Sequence, residues 1–448
     1  MSDSGQETST TDEQQPRRIW DRIAGARIDI TPLRTSPEFR ILFLSGIATY
    51  VPATFTMVAL PFQLYDLTRS NLAVGLIGAF QLIPLVIFGL WGGALADRWD
   101  RRRTLLVTGA ANTLLIAVLV GNALLAQPQA WLLYVVAVLS AAVAGVSRPS
   151  KEALTPIVVR HDQIPAAVAL NSLVFQIAML IGPGIAGVMA ATLPIWTVYT
   201  VAMIGIASGT VILLGLRPHP VPRVEGEQVQ NAFNSINAGL RYALSRKDLL
   251  GTYLIDMIGM LLAFPIVLFP ALAELVFAAP ALLGLFYTAE AVGSMLFTLT
   301  SGWTARIHHH GRAVTLAAMG WGAAIGAAGL MGNIWAAIVC FGLAGAFDMM
   351  SGQFRGVIWH QTIPTHLRGR LAGIEMLSYS IGPLLGQLRA GVVADLTSVR
   401  ASIVSGGALC VLGVAGTAAV LRGFWNYDAR TDEHALAQRA AREADDER

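Results

Sequence analysis

"GGALADRWDRRR" (residues 92–103) holds six charges in twelve residues, two aspartates and four arginines. The stretches on either side hold none: residues 72–96 are uncharged, and so are residues 104–147. A helix needs about 20 apolar residues to cross the hydrocarbon core of a bilayer. The charged knot therefore reads as a short loop between two membrane helices, and the rest of the chain is read from that starting point.

Composition agrees. The chain has 448 residues, 54% hydrophobic and 13% charged, with a mean hydropathy of +0.59. A soluble domain carries about 25% charged residues, so this one lacks the polar surface to coat a globule in water. Residues 41–65 are a further uncharged run of 25. Residues 104–147 and 163–216 are uncharged for 44 and 54 residues, and each must be two spans folded at a turn, the first at Gln127-Pro128-Gln129 and the second near Pro194. The expected spans are 41–65, 72–96, 104–126, 130–152, 165–190, 195–216, 249–272, 281–304, 313–331, 334–358, 371–394 and 401–422. The fold class is thus an all-α polytopic membrane protein with 12 transmembrane helices.

Charge placement orients it. Net charge is +3 and the isoelectric point about 9.0, which by itself would suit nucleic acid, but the positions of the charges argue otherwise. With the N-terminus inside, the inner short loops hold Arg98, Arg101, Arg102, Arg103, Arg160, Arg306, Arg312, Arg368 and Arg370, against Arg69 and Arg400 outside. That is the positive-inside asymmetry. It gives a multi-pass protein of the inner or plasma membrane with both termini cytoplasmic, partnered by the lipid bilayer and not by nucleic acid. Residues 1–22 lack an apolar core and read as a polar tail, not a cleaved signal; 19–40 have weak amphipathic character and lie along the membrane surface. The expected division is 1–40 cytoplasmic tail and juxtamembrane segment, 41–216 first six-helix bundle, 217–248 cytoplasmic central loop, 249–422 second bundle and 423–448 cytoplasmic C-terminal tail.

The two halves echo one another. Span 5 contains "IGPGIAG" (181–187) and span 11 "IGPLLGQ" (381–387). The knot has a degraded counterpart in "GWTARIHHHGR" (302–312), placed between spans 8 and 9 as the knot is between spans 2 and 3. Duplicated halves with a site at their interface are a transporter architecture.

"GGALADRWDRRRTLL" resembles the cytoplasmic loop signature of the major facilitator superfamily, Gly-x-Leu-Ala-Asp-Arg-x-Gly-Arg-Arg: Gly93, Leu95, Ala96, Asp97, Arg98, Arg101 and Arg102 match, and Asp100 stands in place of glycine. "LRTSPEFRILF" (33–43), "FPALAE" (269–274), "GLFYTAEAVGS" (284–294) and "LRGRLAGI" (367–374) are similar to the branch that exports enterobactin-type siderophores. The resemblance covers roughly residues 33–422. It implies the major facilitator fold, with two six-helix bundles related by pseudo-two-fold symmetry and alternating access between them.

Physics gives the knot a task. Gly93 allows close helix approach, and Asp97 can accept from free N–H groups at a helix N-terminus, which the resemblance makes that of span 11. Arg101 or Arg102 can pair with Glu152 at the inner end of span 4. Such a latch, with Arg98, would hold the halves together on the inner side, or serve only as a topology anchor. "MLIGPGIAG" resembles the antiporter signature Gly-x-x-x-Gly-Pro-x-x-Gly-Gly: Gly182, Pro183 and Gly187 match, while Ala178 and Ala186 replace glycines. With Gly382 and Pro383 in span 11, these residues are the expected helix bends and close contacts.

Charges inside spans need a reason, since each costs about 2.5–3.5 kcal/mol on insertion scales. Glu290, near the middle of span 8 with Tyr287 a turn away, is the first candidate for proton coupling. Asp256 in span 7, Asp348 in span 10, Glu375 in span 11 and Arg148 at the end of span 4 are the others, with Arg355 placed to neutralise Asp348. Glu375 and Arg389 share a face of span 11 but lie about 21 Å apart and cannot touch. Buried amides want partners and aromatic walls suit a planar substrate, which makes Tyr50, Gln63, Gln81, Gln176, Tyr287, Trp321, Tyr379 and Gln387 candidates for a substrate cavity. Cys340 and Cys410 lie in spans as small hydrophobes. The histidines at 308–310 lack a closed ligand set, so no metal is expected.

No phosphate loop or nucleophile-and-base pattern is present, so neither ATP nor an enzymatic reaction drives this chain, and no cofactor is expected beyond the proton gradient. By the resemblance, the expected function is proton-coupled export of a siderophore-like small molecule, by a carrier working as a monomer. A multidrug/proton antiporter of the same fold is the alternative, and a non-transporting membrane sensor or scaffold is the rival from another class.

Overall fold

The computed structural model describes residues 29–96, 99–218 and 241–446, without the side chains of 90, 92–96, 365–370, 372–377 and 441–446. Asp97 and Arg98 lie outside that description, and Gly93 and Glu375 are described in their backbone only. Twelve long helices run through the described residues. The first half holds α1 (Pro37–Thr68), α2 (Asn71–Ala96), α3 (Arg101–Ala123), α4 (Ala130–Val158), α5 (Ile164–Thr192) and α6 (Ile195–Ile212). The second holds α7 (Lys247–Ala263), α8 (Leu283–Thr300), α9 (His310–Leu330), α10 (Ile334–Thr362), α11 (Thr365–Leu396) and α12 (Val399–Val420). A tail helix, α13, spans Glu433–Asp446. An even number of crossings puts both chain ends on one side, called here the near face.

Eleven of these segments are apolar and long enough to cross a membrane. The twelfth is α11, whose 32 residues extend about 48 Å at 1.5 Å per residue. Its composition, with Arg368, Arg370, Glu375, Arg389 and Asp395, conceals what its length supplies.

Local chemistry sets the helix ends. Ser36 caps α1 by accepting from the Phe39 N–H at 3.0 Å, with Pro37 in the first turn, where its missing donor is not needed. Asp100 of the charged knot caps α3, accepting from the Arg103 N–H at 2.8 Å. Arg69 ends α1 in the left-handed region at φ 53°. After Ala263, α7 breaks at Phe264 and Pro265 and continues as short helical turns, ending in Leu272–Val276. "FPALAE" lies in those turns and sets Glu274 on the face opposite the chain ends, the far face.

Small residues bring the halves together. Gly187 of α5 meets Gly284 of α8 so closely that neither could carry a Cβ, and a Cβ on Gly284 would sit 2.7 Å from Gly184 Cα. Gly75 and Gly78 of α2 face the backbone of Gln387 and Leu384 in α11 in the same way. The two Gly-Pro motifs make equivalent contacts: Gly182 of α5 abuts Thr54 of α1, and Gly382 of α11 abuts Met260 of α7. Both helices run unbroken through Pro183 and Pro383.

Candidate functional site

The second half encloses a group of charges. Asp256 of α7 and Arg355 of α10 form an ion pair with side chains only 6% and 11% exposed. Ser378 of α11 donates to the same carboxylate at 3.4 Å. Asp348, two turns before Arg355 on α10, lies within electrostatic reach of both members of the pair. Glu290 of α8 is within reach of Asp348 in turn, because α8 and α10 pack backbone to backbone. Gly345 rests on the Glu290 carbonyl with no space for a side chain, and Ser294 donates to the Gly345 carbonyl at 2.9 Å. A small cleft lined by Asp256, Gly259, Met260, Trp321, Asp348 and Ser351 lies beside these carboxylates.

This corrects the expected partner of Arg355, which is Asp256 and not Asp348. Seven residues along α10 separate Arg355 from Asp348, about 10 Å, and the guanidinium reaches across to α7 instead.

A second group lies between the halves. Arg148 of α4 pairs with Glu152 at 3.0 Å, and its guanidinium lies 5.5 Å from the ring of Tyr379 on α11 of the opposite half. Lys151 places its ammonium 4.0 Å above the ring of Tyr50 in α1, and that ring meets Phe175 of α5 edge-on at 5.7 Å. The Arg148 and Glu152 side chains are 53% and 68% exposed, although counting residues puts the group about 9–21 Å in from the near-face helix ends. The space between the halves is therefore open on the near-face side. Here too an expectation is corrected. Glu152 pairs with Arg148, not with Arg101 or Arg102, and Arg102 donates to the Leu214 carbonyl at 2.9 Å. The reason is length: α4 continues to Val158, which lifts Glu152 about 9 Å from the helix end and away from the knot.

The far face is closed by a clasp that sequence reading did not find. Asp395, near the end of α11, accepts from Ser70 Oγ at 2.5 Å, from the Asn71 N–H at 2.8 Å and from the Leu72 N–H at 3.0 Å. Asn71 Nδ2 donates to it as well, at 3.0 Å. A carboxylate on one half thus caps the N-terminus of α2 on the other. Arg69 adds an ion pair to Glu274 at 2.5 Å and a second to Asp66 at 2.6 Å. The only advance signal was an aspartate in the last turn of one span and Ser-Asn at the start of another.

Several cavity candidates sit elsewhere. Gln63 is buried inside the first half, accepting from the Tyr199 hydroxyl at 2.8 Å. Tyr287 is buried in the second half, edge-on to Phe269 at 4.9 Å. Both pack bundle interiors and do not face the space between them. Gln387 lies in the α2–α11 joint, and Trp321 lines the internal cleft of the second half. Tyr50 and Gln81 are half-buried, while Gln176 and Tyr379 are exposed. Lys151 and Phe175 complete the central group, and neither was among the sequence candidates.

Two helical halves, joined at one face and open between them toward the other, are the architecture of a major facilitator transporter. The chain belongs to the family described as transmembrane secretion effector, whose model matches residues 28–448. It is 29% identical to the enterobactin exporter EntS of Shigella boydii serotype 18 over 399 residues, 86% of this chain and 92% of that one. It is 28% identical to EntS of Escherichia coli O139:H28 over the same coverage. Among solved structures, a POT family transporter superposes with a TM-score of 0.68 at 11% identity, covering 87% of this chain and 97% of that one. The D-xylose-proton symporter gives 0.65 at 14%, with 85% and 96% covered. A bacterial homolog of the lysosomal transporter Spinster, inward-facing and unoccupied, gives 0.64 at 12%, with 90% and 96% covered. The chain is a multi-pass membrane transporter.

Proposed function

We propose that this protein is a proton-coupled exporter of the cell membrane, carrying a siderophore-like molecule outward by alternating access with its near face toward the cytoplasm. The carrying observation is the group of Asp256, buried, with Asp348, Glu290 and Arg355, half-buried, drawn from three helices of one half. Three carboxylates beside one arginine leave negative charge that a proton can neutralise, and each ionised group in hydrocarbon is expensive. Proton arrival and departure there changes the electrostatics of α7, α8 and α10 together. The gradient supplies about 2.3 kcal/mol per charge per 100 mV.

The resemblance to enterobactin exporters supports export and a siderophore-like substrate, which enters through the opening between the halves. The closed far face is then the external gate. The resemblance in the charged loop of residues 92–103 supports a cytoplasmic counterpart there, acting in the opposite half of the cycle.

Proton release from acid-loaded inside-out vesicles tests this. A catecholate siderophore added outside should discharge the gradient in wild type, and Glu290→Gln should abolish the discharge. Discharge by a cationic dye alone would replace the siderophore with a multidrug substrate. No discharge with either compound would refute proton coupling.

A further inference from the structure

We infer that Arg148 and Lys151, walled by Tyr50, Phe175 and Tyr379, form an anion site for an acidic aromatic group, and that Glu152 occupies this site while the carrier is empty. The inference rests on the transporter reading above and names how its substrate is held.

Charge accounting carries it. Asp256 and Arg355 neutralise each other inside the second half, as Arg246 and Asp248 do at 2.5 Å near the start of α7. Lys151 has no carboxylate partner among the described residues; its ammonium rests on the Tyr50 ring alone. A ring face screens an ammonium but does not neutralise it, so an anion entering this open space meets a cation without a counter-ion of its own. Glu152 serves Arg148, so among the described side chains the cluster keeps one net positive charge.

Position carries the rest. Arg148 and Lys151 are three residues apart on α4 and therefore share a face. The rings around them come from both halves, Tyr50 and Phe175 from the first and Tyr379 from the second. A ligand lying on those rings would touch both halves at once, and its acid group would meet both cations. The Arg148–Glu152 pair is an exposed i,i+4 pair, a weak kind, so a ligand carboxylate or phenolate can displace Glu152 without dismantling the site. Opposite charge also separates the tasks: the anion is held on α4, and the carboxylates lie on α7, α8 and α10.

The test is calorimetric titration of the full chain in lipid nanodiscs, without a pH gradient, using 2,3-dihydroxybenzoate and its neutral amide. Wild type should bind the acid at least tenfold more tightly than the amide. Lys151→Gln should remove that preference while leaving amide binding in place, and Lys151→Arg should restore it, which separates loss of charge from loss of fold. Glu152→Gln should tighten acid binding severalfold. Equal binding of acid and amide, no acid binding by wild type, or indifference to Lys151→Gln would overturn the site. Weaker acid binding in Glu152→Gln would overturn the occupant role. Because no gradient is present, acid binding through Lys151 without proton release in vesicles would sink the coupling proposal and spare this one. Siderophore-driven proton release that ignores Lys151→Gln would do the reverse.

Discussion

Replacing Asp395 with alanine should open the far face, and the contacts set the size of the effect. Asp395 accepts from two backbone N–H groups at the start of α2, at 2.8 and 3.0 Å, and from the Ser70 and Asn71 side chains. The two side chains can turn to water when the carboxylate is gone, so they are assigned nothing. Each N–H bond to a charged acceptor contributes about 1.5–3 kcal/mol when buried and about 1 kcal/mol at an exposed helix end. About 2 kcal/mol is then lost from the closed state only, since the donors and the acceptor belong to different halves. That is a shift of about thirtyfold in the closed-to-open ratio. Asp395→Asn keeps one acceptor oxygen and loses the charge, so about 1 kcal/mol and fivefold are expected. Glu274→Gln removes an exposed ion pair with side chains 56% and 38% exposed, for which about 0.5 kcal/mol and twofold is the expectation. Spin labels at Leu67 and Leu396, both exposed near the far face, report the distance across the gate by pulsed electron resonance. The order Ala, Asn, then Glu274→Gln in growth of a longer-distance population is the expected result. An unchanged distance distribution in Asp395→Ala would refute the clasp.

Two further outcomes follow from packing and buried charge. Gly187→Ala places a Cβ where the Gly284 backbone lies, so α5 and α8 must separate; the far gate should fail to close, and siderophore export should fall with the fold intact, as judged by gel filtration and melting temperature. Asp256→Asn leaves the Arg355 charge buried without its carboxylate and should cost about 3–5 kcal/mol, read as a lowered melting temperature. The double variant Asp256→Leu with Arg355→Met should be far less damaged, and equal damage would mean that the pair matters for something besides charge balance.

The membrane class and the number of helices were legible in the sequence because uncharged length is a one-dimensional property. Runs such as 104–147 cannot be anything but bilayer-crossing chain, and the charges around them count directly. Helix α11 was found in the same way from its place in the second half, although its charges lower its hydropathy below that of the other eleven segments. The Gly-Pro echoes at 181–187 and 381–387 were also visible, since a repeat is a comparison of the sequence with itself. The end of α4 was not: three charged residues at 148, 151 and 152 look like a membrane boundary, yet the helix runs on to Val158. A charge marks a boundary only where the other side is lipid, and between two bundles the other side is a chamber.

The sequence by itself determined that this chain crosses a membrane twelve times in two related halves, because burying apolar length in lipid depends on composition and order alone. Only the tertiary structure decided which charges meet. Arg355 chose Asp256 over Asp348, Glu152 chose Arg148 over the arginines of the knot, and Asp395 crossed to the start of α2. Gln63 and Tyr287, chosen as cavity residues by type, turned inward to pack. Partner choice among like side chains is set by helix rotation and by contacts a few ångströms wide, such as Gly345 on Glu290. Such contacts join residues far apart in the chain, and no local pattern encodes them.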